Sequence, residues 1–392
     1  MNVSHQISGN QLTLLRSGTD FFPQLCADID AARHSIYLET YIFAADQTGR
    51  LVADALQHAA ARGVTVRLLL DGYGSAELPE QWVDDLREAN VEVRWFRREI
   101  SPFTLRRNRH RRLRRMHRKM AVMDGEVAFV GGINIINDIP PHSGLSLPQL
   151  DYAVRVNGPV AGEIHAAMRR LWSVVSWANL RRRGKKIKWL VSGAKRPSTS
   201  NDINIILRDN VRHRRDIERE YLNVIEGAQG EIIIANAYFL PGRSFRQALI
   251  IAARRGVRVT LLLQGRVEYW IQHYATHALY DELLGAGVEI YEYQASYLHA
   301  KVAVVDGLWA TVGSSNIDPF SLLLAREANL AVRHAGFAGD LRKNLIAAID
   351  QDAVRVGDEY GLTRNWLDRL IARFSYVMVR LLVGLLGYGK SI

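Results

Sequence analysis

Short apolar runs alternate with longer amphipathic stretches along this chain. Residues 35–43 read SIYLETYIF, residues 51–62 place apolar side chains at helical spacing, and a second apolar run follows at 64–70. Apolar runs bounded by turn residues predict strands, whereas a period near 3.6 residues predicts helices. Strands that alternate with helices are typical of parallel βαβ units whose sheet carries helices on both faces. We therefore expect an α/β fold.

The same order of elements occurs twice. Three segments match three later segments in the same order, namely 35–43 with 231–239, 61–72 with 254–265, and 89–93 with 286–290. Ordered matches of this kind indicate an internal repeat. The chain is therefore expected to contain two related α/β halves.

A basic stretch separates the halves. Residues 181–202 lose apolar periodicity and gather Lys, Ser, Pro and Gly, which is typical of a connecting segment. We predict four regions, which are a first half at 1–180, a basic linker at 181–202, a second half at 203–360 and an amphipathic C-terminal tail at 361–392.

The candidate chemistry lies in one further repeated segment. Its polar residues are His117, Lys119, Asp124 and Asn134 in the first half and His299, Lys301, Asp306 and Asn316 in the second. Because side chains alternate along a strand, the His and Lys of each copy point the same way and can meet one phosphate. A lone His-x-Lys is usually structural, but two copies with equal spacing to an Asp are a strong signal.

Each motif aspartate has two interpretations. Asp124 and Asp306 are each followed by Gly between apolar runs, which predicts a hairpin turn. Direct catalysis and a structural hydrogen bond in the turn both remain open.

Three further residues are candidates for supporting the histidines. Asp151 and Glu327 begin later strands, and a carboxylate there could orient a histidine ring, although both could also be merely exposed. Ser314 stands where the first half has Gly132. If this hydroxyl donates to phosphate, the two halves are not equivalent.

The doubled motif resembles the signature of the phospholipase D superfamily. Its pattern is His-x-Lys, four residues, Asp, then Gly-Gly/Ser-x-Asn, and the repeat that carries it covers about residues 12 to 335. Residues 68–75 (LLLDGYGS), 115–119 (RMHRK) and 149–154 (QLDYAV) are similar to bacterial cardiolipin synthases of the B type. The resemblance implies two tandem phospholipase D-like α/β/α halves with one active site at their pseudo-twofold interface. It implies no metal and no organic cofactor.

The implied chemistry agrees with the residue types. Two lysines, two amides and backbone N–H groups can neutralise an anionic phosphodiester. One imidazole then forms a covalent phosphohistidine while the other protonates the leaving alcohol. The resemblance favours His117 as the nucleophile, and symmetry alone does not assign the roles.

Charge patterning bears on the substrate. The net charge is +11, and residues 97–119 carry eleven Lys or Arg against one Glu, while 181–196 carry eight with no acid. Such stretches suit an anionic partner. With the resemblance, they predict phosphatidylglycerol as substrate at a membrane surface, giving cardiolipin and glycerol. A phospholipase D-type hydrolase or headgroup-exchange enzyme is the alternative, and a nucleic-acid-binding or nuclease protein is a remote one, so no nucleic acid partner is expected.

The C-terminal segment and the cysteine content bear on location. From Trp366 to Leu386 an apolar helix is interrupted by three arginines on one side, as in helices that lie in a membrane interface. Docking of this helix on the protein's own core is the alternative. The single cysteine, Cys26, permits no intrachain disulfide. We see no secretory or spanning segment, and expect a peripheral protein on the cytoplasmic face of a bacterial cell membrane.

Overall fold

The computed structural model describes residues 3–98, 115–139, 144–182, 202–209, 213–267, 270–318, 321, 325–357 and 366–383. These residues form two eight-stranded sheets, one in each half. The predicted α/β class and the two tandem halves are confirmed. Most of the predicted linker at 181–202 and most of the basic stretch at 97–119 lie outside the described residues.

The first sheet is built from β1 to β8 in the spatial order β1-β2-β8-β7-β6-β3-β4-β5. Its strands are β1 Ser4–Ile7, β2 Asn10–Arg16, β3 Ser35–Thr40, β4 Thr65–Asp71, β5 Glu92–Phe96, β6 Met120–Met123, β7 Val127–Gly131 and β8 Tyr152–Asn157.

The second sheet is built from β9 to β16 in the order β16-β12-β11-β10-β13-β14-β15-β9. Its strands are β9 Ile203–Arg208, β10 Glu231–Asn236, β11 Arg258–Gln264, β12 Glu289–Tyr293, β13 Lys301–Val305, β14 Trp309–Gly313, β15 Glu327–Arg333 and β16 Ala353–Arg355.

The helices flank these sheets. They are α1 Ser17–Ala31, α2 Gln47–Ala61, α3 Glu80–Glu88, α4 Pro159–Arg182, α5 Asp216–Gly227, α6 Arg243–Arg254, α7 Trp270–His277, α8 Tyr280–Leu284, α9 Ala335–Asp352 and α10 Trp366–Val383.

Only part of each sheet is parallel. The strands β3, β4 and β5 pair in parallel, as do β10, β11 and β12. The remaining pairs in both sheets are antiparallel. The parallel βαβ prediction thus holds for the three strands that the early repeat covers, and each sheet is extended by hairpins.

The two sheets share one buried core. A single apolar cluster contains Val130 and Val154 from the first half and Val312 and Leu330 from the second. Separate clusters fill the outer face of each sheet beneath its own helices. Because both faces of each sheet are covered, the strands are nearly continuous apolar runs.

The C-terminal helix α10 packs one narrow side against α7. Ala372, Ser375 and Val379 are buried in this contact, so the helix does dock on the protein. Its remaining apolar side chains are exposed: Leu370, Ile371, Phe374, Val377, Met378 and Leu381. Within the described residues, no helix is long and apolar enough to cross a bilayer.

Candidate active site

The backbones that carry the histidines are paired across the two halves. Met116 forms a parallel bridge with Arg326, and Leu150 forms the equivalent bridge with Leu298. The N–H of His117 donates to the carbonyl of Arg326 at 2.9 Å. Each histidine is thereby held next to a residue that begins a strand of the opposite half.

The result is a crossed pairing of histidines and carboxylates. Nδ1 of His299 lies 2.6 Å from Oδ2 of Asp151, and Nδ1 of His117 lies 3.1 Å from both carboxylate oxygens of Glu327. The structure thus brings both predicted carboxylates to the histidines, each to the histidine of the other half. With Nδ1–H donating to the carboxylate, Nε2 is left as the reactive nitrogen.

Both motif lysines are buried beside the histidines. Lys119 donates to the carbonyl of His117 at 2.9 Å, and Lys301 donates to the carbonyl of His299 and lies 3.8 Å from Asp151. Burial lowers the pKa of Lys119 to about 7; Glu327 opposes this shift and Lys301 adds to it. An anionic substrate would restore the full charge of this ammonium, because an opposite charge favours the protonated form.

In the protein without substrate, both histidines favour the neutral form. Burial lowers the pKa of His299 to about 4, and Lys301 and Lys119 add to the effect while Asp151 opposes it. Burial also lowers the pKa of His117, against the charge of Glu327. Because the lysines of both halves lower the pKa of each histidine, the two histidines and the two lysines lie within electrostatic reach of one another.

Glu327 remains an anion despite its burial. Burial raises its pKa, but the electrostatic interaction and hydrogen bond with His117 outweigh it, with help from Lys119 and Ser314, so that the net shift is downward. A buried carboxylate in this state can stabilise the imidazolium that forms during proton transfer.

Ser314 acts on Glu327 in this structure. Its hydroxyl donates to Oε2 of Glu327 at 2.5 Å and accepts from the N–H of Ala328 at 3.0 Å. At Gly132, the equivalent position, an added Cβ would lie 2.3 Å from Oδ1 of Asp151. Gly132 thus stands beside the shorter side chain of Asp151, and Ser314 stands beside the longer side chain of Glu327.

The two motif asparagines are buried at the same end of the sheets. Oδ1 of Asn134 accepts from the N–H of Ile42 at 3.3 Å, which ties the turn after β7 to the end of β3. Oδ1 of Asn316 is buried and has no hydrogen-bond partner within the described residues.

The motif aspartates lie at the opposite end of their strands. Asp124 lies five residue steps along the strand from Lys119, which is a distance of about 16 Å. Asp124 accepts the N–H groups of Arg33, His34 and Ser35 at 2.7–2.8 Å. Asp306 accepts three equivalent N–H groups, at residues 229–231. The structure therefore does not bring these two residues to the histidines.

The local backbone explains why aspartate stands there. Asp124 and Asp306 have positive φ values of 55° and 52° at the hairpin turns that join β6 to β7 and β13 to β14, and the predicted hairpins are confirmed. Asp tolerates this conformation better than most residues. In both residues burial raises the pKa, but the backbone N–H groups outweigh it and hold the pKa below its usual value.

Two further residues near the first histidine were not among the predicted site residues. The ring of Tyr41 lies 4.8 Å from that of His117 and 5.2 Å from Nζ of Lys119. Buried Asp71 accepts the N–H of Met116 at 2.8 Å and so holds the backbone just before His117. Asp71 ends an apolar run, LLLD, and a polar residue at the carboxyl end of a parallel strand is a signal that could have found it.

Comparison with known proteins agrees with this geometry. A family described as "Cardiolipin synthase, PLD-like domain" matches residues 25–172 and 221–349. The chain belongs to this family. It is 38% identical over 390 residues to cardiolipin synthase B of Escherichia coli strain K12, covering 97% of this chain and 90% of that protein. It is 31% identical over 401 residues to cardiolipin synthase A of Klebsiella pneumoniae, covering 96% and 76%.

Solved structures share the fold of this cardiolipin synthase family member. Phosphatidylserine synthase of Haemophilus influenzae aligns with a TM-score of 0.66 and 12% identity, covering 99% of this chain and 96% of that one. Polyphosphate kinase of Porphyromonas gingivalis aligns with a TM-score of 0.56 and 12% identity, covering 96% and 56%. At this identity the likeness concerns the fold alone.

Proposed function

We propose that this protein transfers a phosphatidyl group from one phosphatidylglycerol to another, giving cardiolipin and glycerol. The observation that carries the proposal is the crossed pairing, in which each motif histidine is oriented by a carboxylate of the opposite half beside two buried lysines. The 38% identity to cardiolipin synthase B over nearly the whole chain supports this choice of reaction.

The first step forms a phosphohistidine. Lys119 and Lys301 neutralise the donor phosphodiester, so that Nε2 of His117 can attack phosphorus. His299 enters this step as the imidazolium, because the donor phosphate anion together with Asp151 favours the protonated form that burial disfavours in the free protein. The P–O bond to glycerol breaks, and Nε2 of His299 gives its proton to the leaving oxygen. A phosphatidyl group is then bound to His117 through a P–N bond.

The second step reverses these roles. A hydroxyl of the acceptor phosphatidylglycerol gives its proton to His299 and attacks phosphorus, and the P–N bond breaks. Cardiolipin leaves and His117 is regenerated. Asp151 and Glu327 keep each ring in one orientation through both steps because they hold Nδ1.

The test is the product pattern from labelled phosphatidylglycerol. Wild type with EDTA is expected to give cardiolipin and glycerol, and His117→Ala and His299→Ala are each expected to give neither. Phosphatidic acid as the main product would replace the proposal by a hydrolase, because water and the acceptor compete for one intermediate. Cardiolipin formation by either histidine variant would contradict the shared site.

We further propose that a bilayer-facing surface brings this site to its substrate. This surface consists of the exposed apolar side chains Leu370, Phe374, Val377 and Leu381 of α10 together with Trp270 of α7. α7 follows the carboxyl end of β11, and the histidines lie at the same end of the sheet, because Lys301 pairs with the last residue of β10. An apolar helix face with an exposed Trp is suited to insertion at the headgroup level. Peripheral binding on the cytoplasmic side remains a prediction from the sequence.

Vesicle sedimentation tests the bilayer-facing surface. Phe374→Glu replaces a side chain that is 62% exposed, and we expect vesicle binding to weaken by about tenfold or more because its apolar burial is lost. Leu308→Glu is the matched control, since Leu308 is 61% exposed but lies in the hairpin turn at the far end of the sheet. Equal binding by the two variants would reject this surface.

A further inference from the structure

A buried charged cluster lies behind the first histidine. Glu39 of β3 and Arg118 are 3% and 4% exposed, and Nη1 of Arg118 is 3.9 Å from a carboxylate oxygen of Glu39. Arg326 of the other half acts electrostatically on the same carboxylate. We call these three residues the arginine cluster.

The second histidine has no such cluster behind it. The repeat places Ala235 where the first half has Glu39, Ala300 where it has Arg118, and Leu150 where the other half has Arg326. All three equivalents are buried in the apolar core that joins the halves. A histidine of this site can therefore be supported by apolar residues alone. Burying charged groups costs free energy, and this cost arises only behind His117.

The arginine cluster has more positive than negative charge. It holds two guanidinium groups and one carboxylate, and burial raises the pKa of Glu39 to about 7, against the lowering effect of Arg118 and Arg326. Nε of Arg118 is buried without a hydrogen-bond partner among the described residues. An anion could complete this arrangement.

The arginine cluster opens into a cavity of about 660 Å³. Arg118 and Arg326 lie at one part of its lining, with Arg170 on α4, and the apolar side chains Leu171 of α4 and Ile205 of β9 form its walls. Each acidic residue of the lining already has a partner: Glu220 lies 3.4 Å from Arg333, Asp216 lies 3.7 Å from Arg219, and Asp209 accepts the N–H of His213 at 3.1 Å. Cationic and apolar groups in one cavity suit an anionic lipid headgroup and the start of its acyl chains.

We infer that this cavity binds the phosphate of the acceptor phosphatidylglycerol. The inference rests on the proposed function, because only a lipid acceptor brings a second phosphate to the site. Lys119 and Lys301 neutralise the phosphate that reacts, whereas the acceptor phosphate needs other cations. Arg118 follows His117 in the chain and Arg326 precedes Glu327, so two residues of the lining belong to the paired backbone segments that hold the first histidine.

A partition experiment tests this acceptor site. Phosphatidyl-p-nitrophenol serves as donor, so that nitrophenol release reports formation of the phosphohistidine. Glycerol and dihexanoyl phosphatidylglycerol are supplied together as acceptors, and mass spectrometry gives the ratio of the two transfer products. This ratio compares two fates of one intermediate and does not depend on how much intermediate forms.

Arg326→Gln is expected to lower the ratio of lipid acceptor to glycerol product by about tenfold or more, the effect of one lost charge-assisted hydrogen bond. The triple variant Glu39→Ala, Arg118→Ala, Arg326→Leu, which copies the apolar side of the repeat, is expected to lower it at least as far. Arg342→Gln, which breaks an ion pair with Glu231 away from the cavity, is the control and should leave the ratio as in wild type.

Two results would overturn the inference. An unchanged ratio in Arg326→Gln, with or without slower nitrophenol release, would mean that the arginine cluster only supports the structure. A ratio lowered equally in Arg342→Gln would mean that the effect is not specific to the cavity. Failure of wild type to release nitrophenol or to form a cardiolipin product would instead reject the proposed function.

Discussion

The two halves use the same motif with different neighbours. His299 is held by the short side chain of Asp151 beside Gly132, whereas His117 is held by the longer Glu327, which Ser314 fixes in turn. Behind these groups, one side is charged and the other apolar. A repeated fold can thus keep the reactive groups alike while their surroundings make the two histidines inequivalent, as two different roles require.

The largest expected effect concerns the histidines. His117→Gln and His299→Gln should each lower kcat with phosphatidylglycerol by at least about 10⁴-fold, since each removes a reacting group. With the nitrophenyl donor the two variants should differ, because nitrophenolate leaves without a proton. A burst of nitrophenol from His299→Gln and none from His117→Gln would identify His117 as nucleophile; the reverse pattern would exchange the roles.

Gly132→Ala should disturb only the His299 side. Its Cβ would meet Asp151 at 2.3 Å, so the carboxylate must move away from Nδ1 of His299. We expect kcat to fall by about 10²-fold or more, short of the roughly 10⁴-fold that follows when an orienting carboxylate is removed, because Asp151 is displaced and not lost. Steady-state kinetics and the unfolding temperature check this together, and wild-type activity would mean that Asp151 does not orient His299.

Ser314→Gly copies the first half into the second and should cost less. Glu327 loses one hydrogen bond from a hydroxyl but keeps its contact with His117. A hydrogen bond to a charged group is worth about 1.5–3 kcal/mol, so kcat should fall by about tenfold or somewhat more. A rise in KM with kcat preserved would instead indicate that the hydroxyl contacts substrate.

The pH dependence should separate free enzyme from complex. Because the pKa of Lys119 is lowered to about 7, raising the pH through 7 removes its charge in the free enzyme and should reduce kcat/KM for the donor. Bound phosphate favours the ammonium, so kcat itself should decline only at higher pH. Coincident profiles for kcat and kcat/KM would contradict this assignment.

Asp124→Asn and Asp306→Asn should have the smallest effect on turnover. Each carboxylate accepts three N–H groups, so each variant should lose about 1–2 kcal/mol of stability while kcat stays near wild type. Since their folded-state pKa values are depressed, the advantage of wild type is present above about pH 4 and lost as the pH falls through the folded value. Denaturant unfolding at pH 7 and pH 3 measures this; a large loss of kcat in folded variants would return both residues to the reaction.

The sequence predicted what depends on local pattern. The repeat gave the two halves, the Asp-Gly pairs gave the hairpins, and strand alternation placed each His with its Lys. The crossed pairing could not be predicted, because it depends on the bridges Met116–Arg326 and Leu150–Leu298 between distant segments. Glu39 stood as a single acid in an apolar strand, but only its contact with Arg118 gives that position a meaning.

The crossing of histidine and carboxylate also bears on how such a protein can diversify. If the site were assembled from two identical chains, one substitution would alter both copies at once. Glycine could not then stand beside one carboxylate and serine beside the other, because both copies would carry the same residue at that position. Joining the copies in a single chain lets each position mutate alone, yet neither half can lose its carboxylate without disabling the histidine encoded in the other.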